Sequence, residues 1–488
     1  MLRSVHYRVC RDKSQGVLAV SQPSPLHRVR PTGKSLRTTQ AAVAATMLLS
    51  LMGFARAQTA QPGADTSLTF HGITLYGLVD IGLQYETHGA TLSDFFPAGG
   101  NGLIQKNSYK SVLGGTPNNF SQSRIGLQGK EPLVADWSGV FRVETYFNPQ
   151  SGNISDGLKS LTLNNGKGLT EQSNGVDTSV AGQLFAIAYV GVISPTYGTI
   201  TFGRQLGLMA DGISKYDPLA ASQAFSVIGY SGTAAGAGAT EDRRLDQSLK
   251  YFNTYHGVHL GAQYRFNGSN GAAATAWELQ LGVEHGGVSI DAFAAKVADA
   301  VAASSLSAAQ VAELPTLGYS SSNSLAATIS DNTMFSLMGS YALGAATLFA
   351  GYEHIKYANP TTPLQAGYLD EGGYVLAFVN NTAYVRNKNL QVYWTGVKYT
   401  IRALDLYAAY YGYHQANFAT GALAGCSSTA SAACSGELLA FSVAADYRIA
   451  KRFDCYFGAM WSGVQNGLAN GYLSRNSIDP TLGVRFRF

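Results

Sequence analysis

The last eight residues, Thr481–Phe488, read TLGVRFRF and alternate without a break. Leu482, Val484, Phe486 and Phe488 fall on one parity, while Thr481, Gly483, Arg485 and Arg487 fall on the other. A strand turns successive side chains to opposite faces, so this segment has one apolar face and one polar face. A soluble sandwich would set the polar face in bulk water and the apolar face in a core. A transmembrane barrel would set the apolar face in lipid and the polar face in a water-filled lumen. The segment alone does not choose. Its position favours the barrel: the chain ends on aromatic Phe488, and a last strand that pairs with the first needs nothing beyond it, because closure removes both sheet edges.

Composition points the same way. Charged residues make up 13% of the 488-residue chain, about half the usual share of roughly 25%. There are 55 Gly, 28 Tyr and 22 Phe but only 14 Pro, a mixture suited to one large sheet whose two faces meet different solvents. The formal charge of +4 is misleading, because residues 1–57 hold nine Lys or Arg and one acid. Without them 25 bases and 29 acids remain, a net of −4. The sequence pI therefore gives no reason to expect nucleic acid as a partner.

Residues 1–57 read as an export segment with an extended prefix. A basic region (Arg28, Arg30, Lys34, Arg37) precedes the apolar run Ala41–Phe54 and then Ala55-Arg56-Ala57. That is the order of a secretory signal, and the run is shorter than the roughly 20 apolar residues a spanning helix needs. Cleavage is expected after Ala57, leaving residues 58–488 as the barrel domain.

Alternation begins at Ile73, where Leu75, Gly77, Val79, Ile81 and Leu83 share one face and Asp80, Gln84 and Glu86 the other. It is clearest at His256–Asn267, with Val258, Leu260, Ala262, Tyr264 and Phe266 opposite His259, Gly261, Gln263 and Arg265. In all, about sixteen strands are expected. Their connections alternate between short turns, such as Gly286-Gly287 and Ala450-Lys451, and long loops at about 88–120, 148–180, 205–245, 301–331, 358–388 and 419–436. Short turns at one rim and long loops at the other are a transmembrane-barrel arrangement. The Ala/Ser-rich stretch 298–329 reads as loop, despite helix-compatible propensity.

With these strands in place, the chain resembles the trimeric general porins of Gram-negative outer membranes. The matching stretches are TLYGLVDIGLQY (74–85), SRIGLQGKEPL (123–133), AYVGVISPTYGTITFGRQ (188–205), LDQSLKYFNTYHGVHLGAQYRFNG (245–268) and GVRFRF (483–488). The resemblance implies an all-β, transmembrane antiparallel β-barrel of sixteen strands, a homotrimer, and a third long loop folded inward as a constriction. It implies an outer-membrane setting with lipid and lipopolysaccharide around the barrel, reached through periplasmic chaperones and barrel-insertion machinery. Phe488, with Phe486 before it, would be the insertion signal. The function implied is passage of small hydrophilic solutes through a water-filled pore, without cofactor or catalytic metal.

In the resembled family an arginine cluster on the wall faces acids on the inward loop. The wall arginine of the second strand falls on Arg124, that at the end of the fifth on Arg204, and one ahead of the sixth on Arg244, with Arg243 beside it. Where members carry a further arginine on the fourth strand, this chain has Ala186 and Ile187, which weakens the expected anion preference. Asp217, in Tyr216-Asp217-Pro218, is the acid expected on the constriction loop. Arg142 and Glu144 share the polar parity of the third strand, and either line the lumen or pair with each other.

Cys426 and Cys434 lie in a Ser/Ala-rich loop of an exported chain, where disulfides are permitted, and are expected to bond. Cys455 shares parity with Phe453, Phe457 and Trp461 and is expected to face outward. No CxxC spacing marks a zinc site.

Three rivals remain. A substrate-specific porin for a sugar or organic anion would show the same strands with a more specialised gate. A barrel hydrolase would need a nucleophile, a base and an orienting group together, whereas the histidines here are scattered. An anchor or adhesin would add a soluble domain, but the residues after 57 are accounted for by strands and loops.

Overall fold

A computed structural model describes residues 68–91, 93–94, 110–173, 184–229, 244–266 and 275–488. The expected export segment 1–57 and Arg243 lie outside these residues. Among them, no helix is long and apolar enough to cross a membrane.

Sixteen antiparallel strands form a closed barrel. They are β1 (Ile73–Glu86), β2 (Arg124–Pro132), β3 (Ser138–Tyr146), β4 (Ile187–Ser194), β5 (Gly198–Leu206), β6 (Arg244–Tyr255), β7 (Val258–Arg265) and β8 (Ala276–His285). There follow β9 (Val288–Ser304), β10 (Ser324–Leu343), β11 (Ala346–Ala358), β12 (Lys388–Ile401), β13 (Leu404–Gln415), β14 (Gly436–Ala450), β15 (Phe453–Asn466) and β16 (Asn476–Arg487). Each strand pairs with its sequence neighbours, and β1 pairs with β16 from Leu78↔Arg487 to Gln84↔Thr481. Phe488 completes the seam: its backbone exchanges hydrogen bonds with Gly77 at 3.0 and 3.1 Å. A Cβ on Gly77 would lie 2.3 Å from the Phe488 ring, so only glycine lets the terminal aromatic lie flat there.

Parity sorts the wall into two faces, as the alternation requires. Leu260, Leu281, Val190, Phe202, Phe441 and Val443 are exposed on the outer face. On the inner face, His259, Gln263, Ser248, Asp80, Thr481 and Arg485 are buried. A run of outer aromatics, Tyr410, Phe441 and Trp461, packs in tilted contact across β13, β14 and β15 with centroids 4.8 and 5.8 Å apart.

The loops hold more regular structure than the sequence pattern gave. The stretch 298–329, expected as loop, contains the end of β9, the start of β10 and a helix, α3 (Ala308–Leu317). Ser307 and Gln310 form a reciprocal capping box there, and Gly318 closes the helix in the left-handed region. That cap chemistry was readable, but the polar loop setting masked it. The loop after β3 carries the short helix α1 (Gly157–Leu163), and the loop after β11 carries a hairpin, Tyr368–Glu371 with Tyr374–Asn381. Within the first long loop, Val112–Pro117 pairs with the upper part of β1. Cys426 and Cys434 are bonded, with Cα atoms 4.9 Å apart.

Candidate functional site: a lumen narrowed by two insertions

The main apolar core lies inside the barrel, between the loop after β5 and the inner wall. That loop opens with a helix, α2 (Leu208–Tyr216), whose Leu208, Met209, Ile213 and Tyr216 side chains are fully buried. At the start of α2, Glu278 of β8 accepts the Met209 amide at 2.9 Å, where unpaired helix N–H groups favour an anion. At its end, Tyr216 donates to Asp291 of β9, and Trp394 Nε1 of β12 donates to the Tyr216 carbonyl at 3.0 Å. The chain then runs along the wall. Tyr413 donates to the Val227 carbonyl at 2.8 Å and Ser442 to that of Phe225 at 2.6 Å. A Cβ on Gly396 would sit 2.4 Å from Pro218, and one on Gly458 would sit 2.7 Å from Phe225. The loop thus covers the inner faces from β8 to β15.

A second insertion meets its far end. Between Val112–Pro117 and β2, the chain turns inward at Asn118, which has φ +60°. Asp80 accepts the Phe120 and Ser121 amides at 2.9 and 2.7 Å. Phe120 then contacts Phe225 with centroids 5.7 Å apart, and Ala224 donates to the Asn119 carbonyl at 2.8 Å. Arg485 stacks over Phe120 at 4.3 Å and bonds Asp454 at 2.7 Å, Ser121 at 3.0 Å and Asp446. This hub ties the two insertions to the closing strand.

The wall left bare by the loop carries charge. Glu144 accepts from Arg142 at 2.7 Å and from Tyr76 at 2.9 Å, and Arg124 lies 3.5 Å away. In register, Tyr146, Arg124, Leu78 and Arg487 form one inner row across β3, β2, β1 and β16. Several of the ion pairs share a sidedness. The side chains of Arg124 and Arg142 are 34% and 31% exposed, but Glu144 is 1% exposed. Lys215 is 41% exposed over a fully buried Asp291. Lys398, Arg448 and Arg487 likewise overlie buried Asp405 and Asp454. In these pairs the base meets the lumen and the acid lies in the wall. Lys250 with Asp211 of α2, Lys215 with its second partner Glu284, and Arg204 with Asp246 reverse the pattern, with the acid more exposed.

Three expected site residues take other positions. Arg204 stands in register with Ala188 and, through it, Val143. That row alternates with Arg142 and Glu144 and faces outward, and Arg204 pairs with Asp246; strand parity overrides the expected pore role. Arg244 is buried, with its guanidinium 4.7 Å over the ring of Tyr146, itself a member of the inner row. Asp217 is only 2% exposed and serves as a turn anchor, accepting Leu219 N at 3.2 Å, Ala221 N at 2.7 Å and the Tyr411 hydroxyl at 2.6 Å. Arg142 and Glu144 do pair with each other.

Comparison with known proteins decides the family. The sequence pattern of the Gram-negative porin family matches residues 41–466. The chain belongs to that family. It is an outer-membrane channel protein and not an enzyme. An outer membrane porin protein of Bordetella pertussis is 26% identical over 231 residues, 47% of this porin and 48% of that protein. The chain thus matches about half the length of this curated relative. The fold is shared with an anion-selective porin from Comamonas acidovorans, with a TM-score of 0.54 and 16% identity, covering 85% of this porin and 99% of that chain. It is also shared with the trimer form of OmpT from Vibrio cholerae, at a TM-score of 0.51 and 14% identity, covering 85% and 99%.

Sequence reasoning missed the Arg485 hub, the inward turn at Asn118 and the Lys215–Asp291 pair of this porin. Their signal was present in part: Asp80, Arg485 and Arg487 all fall on the polar parity of their strands.

Proposed function

We propose that this porin works as a homotrimer that passes small hydrophilic solutes and ions by passive diffusion, with a mild preference for anions. Arg124 and Arg142, with Arg487, Lys398 and Arg448 below them, are the pore-lining charges in this reading. The observation that carries it is the sidedness of the ion pairs, with exposed bases over buried carboxylates. A wide pore need not strip a solute's hydration, so the charges at its narrowest ring set selectivity. Buried carboxylates hold the bases in place while contributing less than the bases to the potential that a passing ion meets. The trimer form of the Vibrio cholerae fold relative supports the assembly. Residues 1–57 direct export, and Phe486 and Phe488 mark the barrel for insertion.

The test is single-channel recording across a salt gradient in a planar bilayer. Ohmic steps in threes, with a reversal potential on the anion side, are the expected result. Arg124→Gln with Arg142→Gln should move that potential toward cations. A solute that blocks the steps at low concentration would instead support the substrate-specific porin, and a folded trimer without conductance would end both readings.

A further inference from the structure

The loop after β3 leaves the barrel six strands from the loop after β9 and eight strands from the loop after β11, in a ring of sixteen, yet the three pack together. The β3 loop returns at once to its own rim: Phe147 and Ile154 form a bridge, and the Ser155 amide donates to the Tyr146 carbonyl at 3.1 Å. The next residue, Asp156, accepts from the Tyr374 hydroxyl at 2.8 Å. Tyr374 belongs to the hairpin of the β11 loop, and that hairpin pairs in parallel with the upper end of β10. The sheet rising from the far wall therefore reaches the rim above β3. Beyond Val297, β9 continues to Ser304, which at about 3.3 Å per residue gives roughly 20 Å of reach.

A bulge at Val297/Ala300, with Asp299 at φ +53°, marks where this sheet departs from the wall; bulges bend the strand that carries them. The bend is braced, because Asp331 accepts the Asp299 amide at 2.8 Å and Asp299 accepts the Thr362 amide at 2.8 Å. On the β3 side, Asn165 accepts the Leu306 amide at 2.8 Å and donates to the Ser321 and Ser324 carbonyls at 2.8 and 2.7 Å. Leu158 and Leu161 of α1 join Leu325, Ile329, Leu364 and Leu376 in an apolar core separate from the one behind the inward loop.

We propose that this bridge is an entrance sieve in series with the inward loop, limiting the size of solute admitted at the long-loop end. Asp156 and Asn165 act as positioning residues that hold it across the mouth. The proposal rests on the channel reading above, so its test separates the two. Asp156→Ala with Asn165→Ala leaves the barrel wall intact and should release the bridge. In liposomes, the swelling rate with a tetrasaccharide should rise several-fold relative to that with arabinose, while ion selectivity stays unchanged. Asp156→Asn, which keeps an acceptor for Tyr374, should stay near wild type. Equal swelling ratios in wild type and the double variant, with both folded by heat-modifiable mobility, would overturn the sieve and leave the channel standing. If the double variant fails to fold, Tyr374→Phe provides the same comparison, and an unchanged ratio there would also overturn it.

Discussion

The two halves of the inner wall share a parity rule and differ in what they meet. From β1 to β5 the inward residues include Tyr76, Arg124, Arg142 and Glu144, and they border open lumen. From β9 to β15 the inward residues include Phe293, Met334, Met338, Ile355, Val392, Trp394, Tyr411 and Tyr456, all buried under the inward loop. Alternation separates inside from outside; it does not say whether the inside holds water. Where a loop lies on the wall, the inward positions turn apolar and the strand loses its contrast between faces. Apolar inward positions in the second half of this barrel are therefore the mark of a covered wall.

That contrast can be tested by equivalent changes on each side. The largest effect is expected at Arg485, where Arg485→Ala leaves the nearly buried Asp446 without its cation and the buried Asp454 with Arg487 alone. Breaking a buried pair in this way costs about 3–5 kcal/mol, and a fall in the thermal midpoint of the folded barrel would show it. Phe225→Ala empties the contact of the loop with Phe120 and Tyr456. A Phe→Ala change in a packed core costs about 3–5 kcal/mol, but here the loss falls on loop attachment. Conductance should therefore become noisy before the barrel melts, and quiet wild-type steps from this variant would break the distinction between the halves.

A smaller effect is expected from pH. Burial pushes the Asp217 carboxyl above its ordinary value, outweighing the Tyr411 hydroxyl and the amides that favour the charged form. A raised folded pKa means that its contribution to loop attachment is complete below the ordinary carboxylate range and is lost as pH rises through the raised value. Asp217→Asn should flatten the pH dependence of gating noise; an unaltered profile would assign that dependence to another group. The smallest effect on stability is expected in the open half. Arg124→Gln removes a partly exposed partner 3.5 Å from Glu144 and should cost less than about 1 kcal/mol, while still shifting the reversal potential.

Most of the barrel was legible. Sixteen strands, their faces and the alternation of short turns with long loops follow from period-two patterning and turn residues, because each strand must satisfy lipid on one side. The site was less legible for a specific reason. Arg204 has the sequence context of a pore arginine, but one position of parity sends it outward. Asp217 looks like an exposed loop acid, but Tyr411, 194 residues further along, supplies the partner that lets it be buried. Arg142 and Glu144 were read as either lining or pairing, and in the sheet they pair. Long-range partners of this kind leave no local trace. The helix α3 was different: Ser307, Gln310 and Gly318 carried its caps in plain sequence.

The seam between β1 and β16 has a kinetic meaning. Gln84 bonds Thr481 across a separation of 397 residues, and Gly77 waits for Phe488. Until that pairing forms, two long strand edges remain unsatisfied, and exposed edges invite pairing with other chains. Contacts between such distant residues also form slowly, since a large loop must close first. Slowing closure at Gly77 would therefore lower the yield of folded protein through aggregation, even where the finished barrel is nearly as stable.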